Sequence, residues 1–140
     1  MSGRVLALDV GSRRLGVAVS DPTGTVASPL ATVPRRTPAE DAQALASLAA
    51  EQDATVVVVG LPLTLAGRQG PAARAVRAYL DELRALLPGL DFRLADERLS
   101  TVAAERALVG GGVRRRRRRD VVDQVAASVF LQTWLDAGRG

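Results

Sequence analysis

Thr55 is followed by four consecutive valines, Val56 to Val59, and no other stretch constrains the fold as tightly. Side chains alternate faces along a strand, so a core on one side would bury only every second valine. Four in succession call for apolar cover on both faces. Strands of that kind belong to parallel sheets whose crossovers are helices. With 140 residues, 47% of them hydrophobic, the chain can supply one such core and not two. A single α/β domain over residues 1–140 is therefore expected.

The flanking segments fill in the sheet. Arg4 to Asp9 and Leu15 to Ser20 alternate toward a hairpin across the turn Gly11 to Arg14. Thr25 to Val33 supplies a third strand that Pro29 restricts to an edge. Thr37, Pro38 and Glu40 form a helix start, followed by Leu45, Leu48 and Ala49 at helical spacing to about Gln52. After the valine run comes a Gly- and Pro-rich loop, Gly60 to Gly70. Pro71 then opens a helix carrying Ala72, Val76, Tyr79, Leu80, Leu83 and Leu87 on one side. Phe92 to Ala95 makes a last strand, and Ser100 to Val109 a short helix capped by Ser100 or Thr101, broken at Gly110 to Gly112. Asp120 to Ala137 reads as a long final helix with Asp120 as its cap. The order implies a mixed five-stranded sheet, a three-strand antiparallel meander plus two parallel strands, with helices on both faces.

Composition removes several chemistries. Cys and His are both absent, which excludes disulfide frameworks, thiol nucleophiles, Ser-His-Asp triads and the usual zinc sites. Acid-base or metal chemistry must rest mainly on carboxylates. No apolar run reaches membrane-spanning length, and the first residues lack a signal-peptide core, so no membrane partner and a cytoplasmic location are expected. All 19 basic residues are arginine, for a formal charge of +4. Without Arg114 to Arg119 the balance is 13 basic against 15 acidic, or −2. One concentrated basic segment on a mildly acidic body suggests a polyanion contact. At 3% aromatic, base stacking on an aromatic platform is not the expected mode of recognition.

Three carboxylate positions stand out. Asp9 ends the first strand and is followed by a glycine that allows close backbone approach to a phosphate. A turn-forming aspartate that satisfies the backbone donors of Gly11 and Ser12 explains it equally well. On a helical wheel Asp123 shares a face with Ala126, Ala127, Phe130 and Trp134, while Gln124, Ser128 and Gln132 lie elsewhere. A carboxylate so placed needs a cation, a donor or a proton. Asp96 and Glu97 follow the last strand, where a solvated connection is the plain alternative. Converging from different elements, such acids could hold Mg²⁺ or Mn²⁺, and two such ions would serve phosphodiester hydrolysis. Gly110 to Arg119 reads as a cationic loop able to lay phosphates beside them, with a solvated charge run as the alternative. Arg68, on the loop after the valine strand, is a further candidate for phosphate contact. So is Arg98, unless it pairs with Asp96 or Glu97.

Several motifs together resemble one family. Leu8-Asp9-Val10-Gly11-Ser12, Leu15-Gly16-Val17-Ala18, Val59-Gly60-Leu61-Pro62-Leu63, Asp96-Glu97-Arg98-Leu99-Ser100-Thr101 and the Val122-Asp123 helix are similar to the YqgF family, also called RuvX, of RuvC-like proteins. The resemblance spans essentially the whole chain. It implies an RNase H-like fold and a cytoplasmic nuclease for the 5′ end of pre-16S ribosomal RNA, with Holliday-junction resolution as the older assignment. By motif position Asp9 resembles the first catalytic, metal-holding acid, Glu97 the central one and Asp123 the helix-borne third. Structured RNA is then the expected partner, branched DNA the alternative, and a homodimer the state that a resolvase would require. A nucleic-acid-binding module with vestigial catalysis is the competing class. The unbroken arginine run, Arg114, Arg115, Arg116, Arg117, Arg118 and Arg119, departs from the family's usual mix of basic and polar residues and leaves open which of them acts.

Overall fold

In the computed structural model the valine run lies in β4 (Ala54–Leu61), an interior strand between two parallel neighbours, β1 (Arg4–Val10) and β5 (Asp91–Asp96). The structure describes residues 3–64, 66–96 and 115–138, and of 115–123 the backbone only. β2 (Arg14–Ser20) pairs antiparallel with β1, and β3 (Ala27–Pro34) antiparallel with β2, giving the sheet order β3-β2-β1-β4-β5. Pro29 sits on the edge strand as expected. It faces Ala18 where the β2–β3 register slips by one residue, a bulge that accommodates a residue without an amide hydrogen.

Alternation within the valine run divides it between two cores. Val57 and Val59 join Leu6, Leu8, Leu15 and Val17 on one face. Helices α1 (Pro38–Glu51) and α2 (Pro71–Leu86) cover that face through Leu45, Ala49, Val76, Leu80 and Leu83. Val58 joins Val5, Ala7 and Ala18 on the other, under α3 (Arg115–Asp136). Ala126, Ala127, Phe130 and Trp134 of α3 are all buried, as the wheel requires, together with Leu131 and Leu135. Thr37 caps α1: its hydroxyl accepts from the Glu40 amide at 3.2 Å and donates to the Glu40 carboxylate at 3.0 Å.

Three expectations need correction. α3 begins at Arg115, so Asp120 lies inside the helix and is not its cap. Arg115 to Arg119 are helical turns and not a loop. Arginine propagates a helix nearly as well as leucine, and no glycine or proline intervenes between Val113 and Ala137. Like-charge repulsion and the macrodipole oppose this by only about 0.3–1 kcal/mol per group. On α2 it is Ala73, three residues before Val76, that is buried, while Ala72 is exposed. The helix expected over 100–109, the connection after Asp96 and the glycine break at 110–112 lie outside the described residues. Among the described residues no helix is long and apolar enough to cross a membrane.

Candidate active site

Asp9 is half-buried near the carboxyl end of β1, with Gly16 as its β2 partner. Its odd number places it with Val5 and Ala7 on the α3 face. The following hairpin is tight: the Gly11 amide donates to the Arg14 carbonyl at 2.9 Å. A Cβ at position 11 would stand 2.8 Å from that same oxygen. Glycine is therefore required by the turn itself, whatever approaches it.

The direction of α3 decides where residue 123 falls. Gln132 donates to the Thr25 carbonyl at 2.8 Å and accepts from the Ala27 amide at 2.9 Å. This pins the C-terminal half of α3 to the start of β3. Ala27 pairs with Ser20, whose hydroxyl accepts from the Val5 amide at 2.8 Å. Gln132 thus marks the level of Val5. Position 123 lies nine residues before Gln132 on the same helix, about 13 Å along its axis.

Asp96 closes β5 opposite Leu61 and lines a cavity with Phe130, Thr133 and Trp134 of α3. Glu97, Arg98 and Arg114 lie outside the described residues. Arg68 is exposed on the loop after β4, in a turn closed by Thr64 N–H to Arg68 carbonyl at 2.9 Å and Arg68 N–H to Thr64 hydroxyl at 3.1 Å. Arg115 to Arg119 occupy the first turns of α3. Among the described residues no group of three carboxylates stands together as a metal site. Asp9 and residue 123 offer oxygen donors only, a set that suits a hard divalent cation.

Sequence reasoning passed over a polar cluster on the other face. Asp41 is 2% exposed on α1, yet its carboxylate accepts from the Tyr79 hydroxyl at 2.6 Å and from the Arg36 amide at 2.8 Å. Burial, and then the bond to Asp41, push the Tyr79 hydroxyl above its ordinary range. The Arg35 guanidinium lies 4.1 Å from the centre of the Tyr79 ring and donates to the Gly11 carbonyl at 2.9 Å. A wheel for α1 would have flagged Asp41, which stands one turn before Leu45 on the buried stripe. No local signal distinguishes Arg35, because its platform is supplied by a residue 44 positions later.

Known proteins share both the sequence pattern and this architecture. Residues 3–137 match the family model described as RuvX, Holliday junction resolvase. A Nocardia farcinica protein named "Putative pre-16S rRNA nuclease" is 49% identical over 140 aligned residues, covering 96% of this chain and 78% of the relative. A Chloroflexus aggregans protein of the same name is 46% identical over 135, covering 96% of this chain and 94% of the relative. Among solved structures, Thermus thermophilus RuvC in complex with a Holliday junction substrate superposes with a TM-score of 0.58 at 17% identity, covering 97% of this chain and 96% of that one. The fowlpox virus resolvase bound to junction DNA gives 0.52 at 8% identity, covering 98% and 99%. At those identities the superpositions speak for the fold, the RNase H-like arrangement of a mixed five-stranded sheet between helices.

Proposed function

The chain belongs to the RuvX family, and from that membership we propose that it is a divalent-metal-dependent nuclease that trims the 5′ end of pre-16S ribosomal RNA. Relatives nearly half identical over almost the whole chain bear that name. The observation that supports the chemistry is Asp9 at the carboxyl end of β1, on the face of the sheet that α3 covers. Asp9, Glu97 and Asp123 are the acids assigned to catalysis and to Mg²⁺ or Mn²⁺, two ions in all.

Bound there, such ions would activate the attacking water and stabilise the leaving oxygen. The protein's own part is to hold the acids and the strand. β1 fixes Asp9 through pairing on both sides, to β2 and β4. α3 carries residue 123 and packs on the sheet through Ala127, Phe130 and Trp134. The arginine run, with Arg68 and Arg98, supplies sequence-neutral phosphate contacts whose strength falls with salt. Products should bear a 5′-phosphate and a 3′-hydroxyl.

Single-turnover cleavage of pre-16S RNA and of a four-way DNA junction, in the same metal series, tests the assignment. Asp9→Asn, Glu97→Gln and Asp123→Asn should each slow RNA cleavage by at least about a thousandfold, equivalent to about 4 kcal/mol of transition-state stabilisation. Cleavage unchanged in all three variants would overturn the nuclease reading. Faster cutting of the junction by an obligate dimer would move the substrate to branched DNA, the reading that the family description and the RuvC superposition favour.

A further inference from the structure

A cavity of about 290 Å³ opens at the carboxyl edge of the sheet, on the face opposite Asp9. Gly11, Ser12, Arg35 and Pro62 line it together with Ala72 and Ala75 of the first turns of α2. Among the described residues its lining holds one charged side chain, the Arg35 guanidinium, and no carboxylate. Asp41 is the nearest acid in the cluster. It already accepts from Tyr79 and the Arg36 amide, and the aromatic ring stands between it and the guanidinium in the chain of contacts.

The guanidinium is held in a fixed pose. One of its five N–H donors goes to the Gly11 carbonyl, and its plane rests on a Tyr79 ring that is only 5% exposed. The Arg35 backbone is fixed as well, through its amide bond to the Arg13 carbonyl at 2.8 Å. A stacked, pre-ordered arginine gives up little rotamer entropy when its remaining donors meet a planar or tetrahedral oxyanion. One residue, Val10, separates Gly11, beside Arg35, from Asp9 on the opposite face. A strand crossing this edge therefore passes from the proposed cleavage centre directly to the guanidinium.

We infer that Arg35, seated on Tyr79 in the cavity beside Gly11, binds a backbone phosphate of the substrate strand flanking the one that is cut. The inference rests on the nuclease reading for its ligand class, and extends it to the face of the sheet away from the metal acids. Arg35 is then a strand-positioning residue, and the α1/α2 face contributes to the track alongside the arginine turns of α3.

Binding of a short fluorescent single strand of pre-16S 5′ RNA, measured in EDTA across a salt series, tests this without turnover. Arg35→Gln should raise Kd about tenfold at low salt and reduce the slope of log K against log[salt] by about 0.7, the loss of one phosphate contact on a single strand. Arg35→Lys keeps the charge and should keep the slope. Tyr79→Phe keeps the ring and should also bind like the parent. Replacing single phosphates with uncharged methylphosphonates should locate one flanking position that weakens the parent protein and leaves Arg35→Gln indifferent. A slope and methylphosphonate profile unchanged in Arg35→Gln, with the parent binding normally, would overturn the subsite alone and leave Arg35 a purely structural turn clamp. Failure of the parent to bind either RNA or junction DNA would instead overturn the nuclease reading on which it rests.

Discussion

Tyr79→Phe isolates one hydrogen bond with almost no change in packing. The ring stays against Val76, Leu80 and Leu83 in the same core, so the apolar area buried is conserved. What disappears is the 2.6 Å donation to the buried Asp41 carboxylate. A hydrogen bond to a charged group contributes about 1.5–3 kcal/mol. Asp41 retains the Arg36 amide at 2.8 Å, which places the expected loss toward the lower half of that range, about 2 kcal/mol. For a domain of this size that is a fall of about 6 °C in Tm, with the urea m-value unchanged. The pH dependence adds an independent check. Tyr79 ionises at higher pH in the folded chain than the ordinary value of about 10, because burial and then Asp41 disfavour the phenolate. The folded state therefore binds more protons than the unfolded state above that pH, and stability falls as pH rises beyond about 10. Tyr79 is the only tyrosine and the chain has no lysine, so tyrosinate absorbance reports this group alone and no ammonium side chain titrates beside it. The Tyr79→Phe variant should lose the alkaline slope. A stability loss below about 0.5 kcal/mol with the slope intact would refute the reasoning, since it would mean that the Asp41 bond contributes nothing beyond what water provides.

Two further outcomes follow from the same geometry. Leu131 is fully buried under the sheet, and Leu131→Ala should cost about 2–5 kcal/mol in urea unfolding, loosening the helix that carries residue 123 and slowing cleavage in parallel. The Asp21 carboxyl in the β2–β3 turn is lowered to about 2, first by the Thr23 hydroxyl and then by the amides of Val26 and Thr25. Its contribution to stability is present above the ordinary carboxylate value and is lost as pH falls from about 4 toward 2. Asp21→Asn should flatten that part of the acid limb in a pH series of thermal midpoints.

The valine run, the proline of β3, the Thr37 cap and the apolar stripe of the last helix were legible because each expresses a local rule. Two-faced burial, a missing amide hydrogen, a side-chain acceptor for an orphan amide and helical periodicity all act within a few residues. The same rule puts residue 123 on the face of the helical wheel that Ala127, Phe130 and Trp134 share. It could not give where that helix is pinned to the sheet, which depends on Gln132 anchoring to Thr25 and Ala27 more than a hundred positions away. The start of α3 was not legible because charge repulsion within the arginine run is visible locally, whereas the packing of Ala126 to Leu135 that sustains the helix upstream of it is not. Sequence by itself determined a parallel core strand, the carboxylates available for chemistry and the absence of thiol or imidazole. Tertiary structure alone decided that Arg35 meets the ring of Tyr79 beside Gly11, because contacts between distant segments are set by how helices pack across a sheet and leave no periodic trace in the chain.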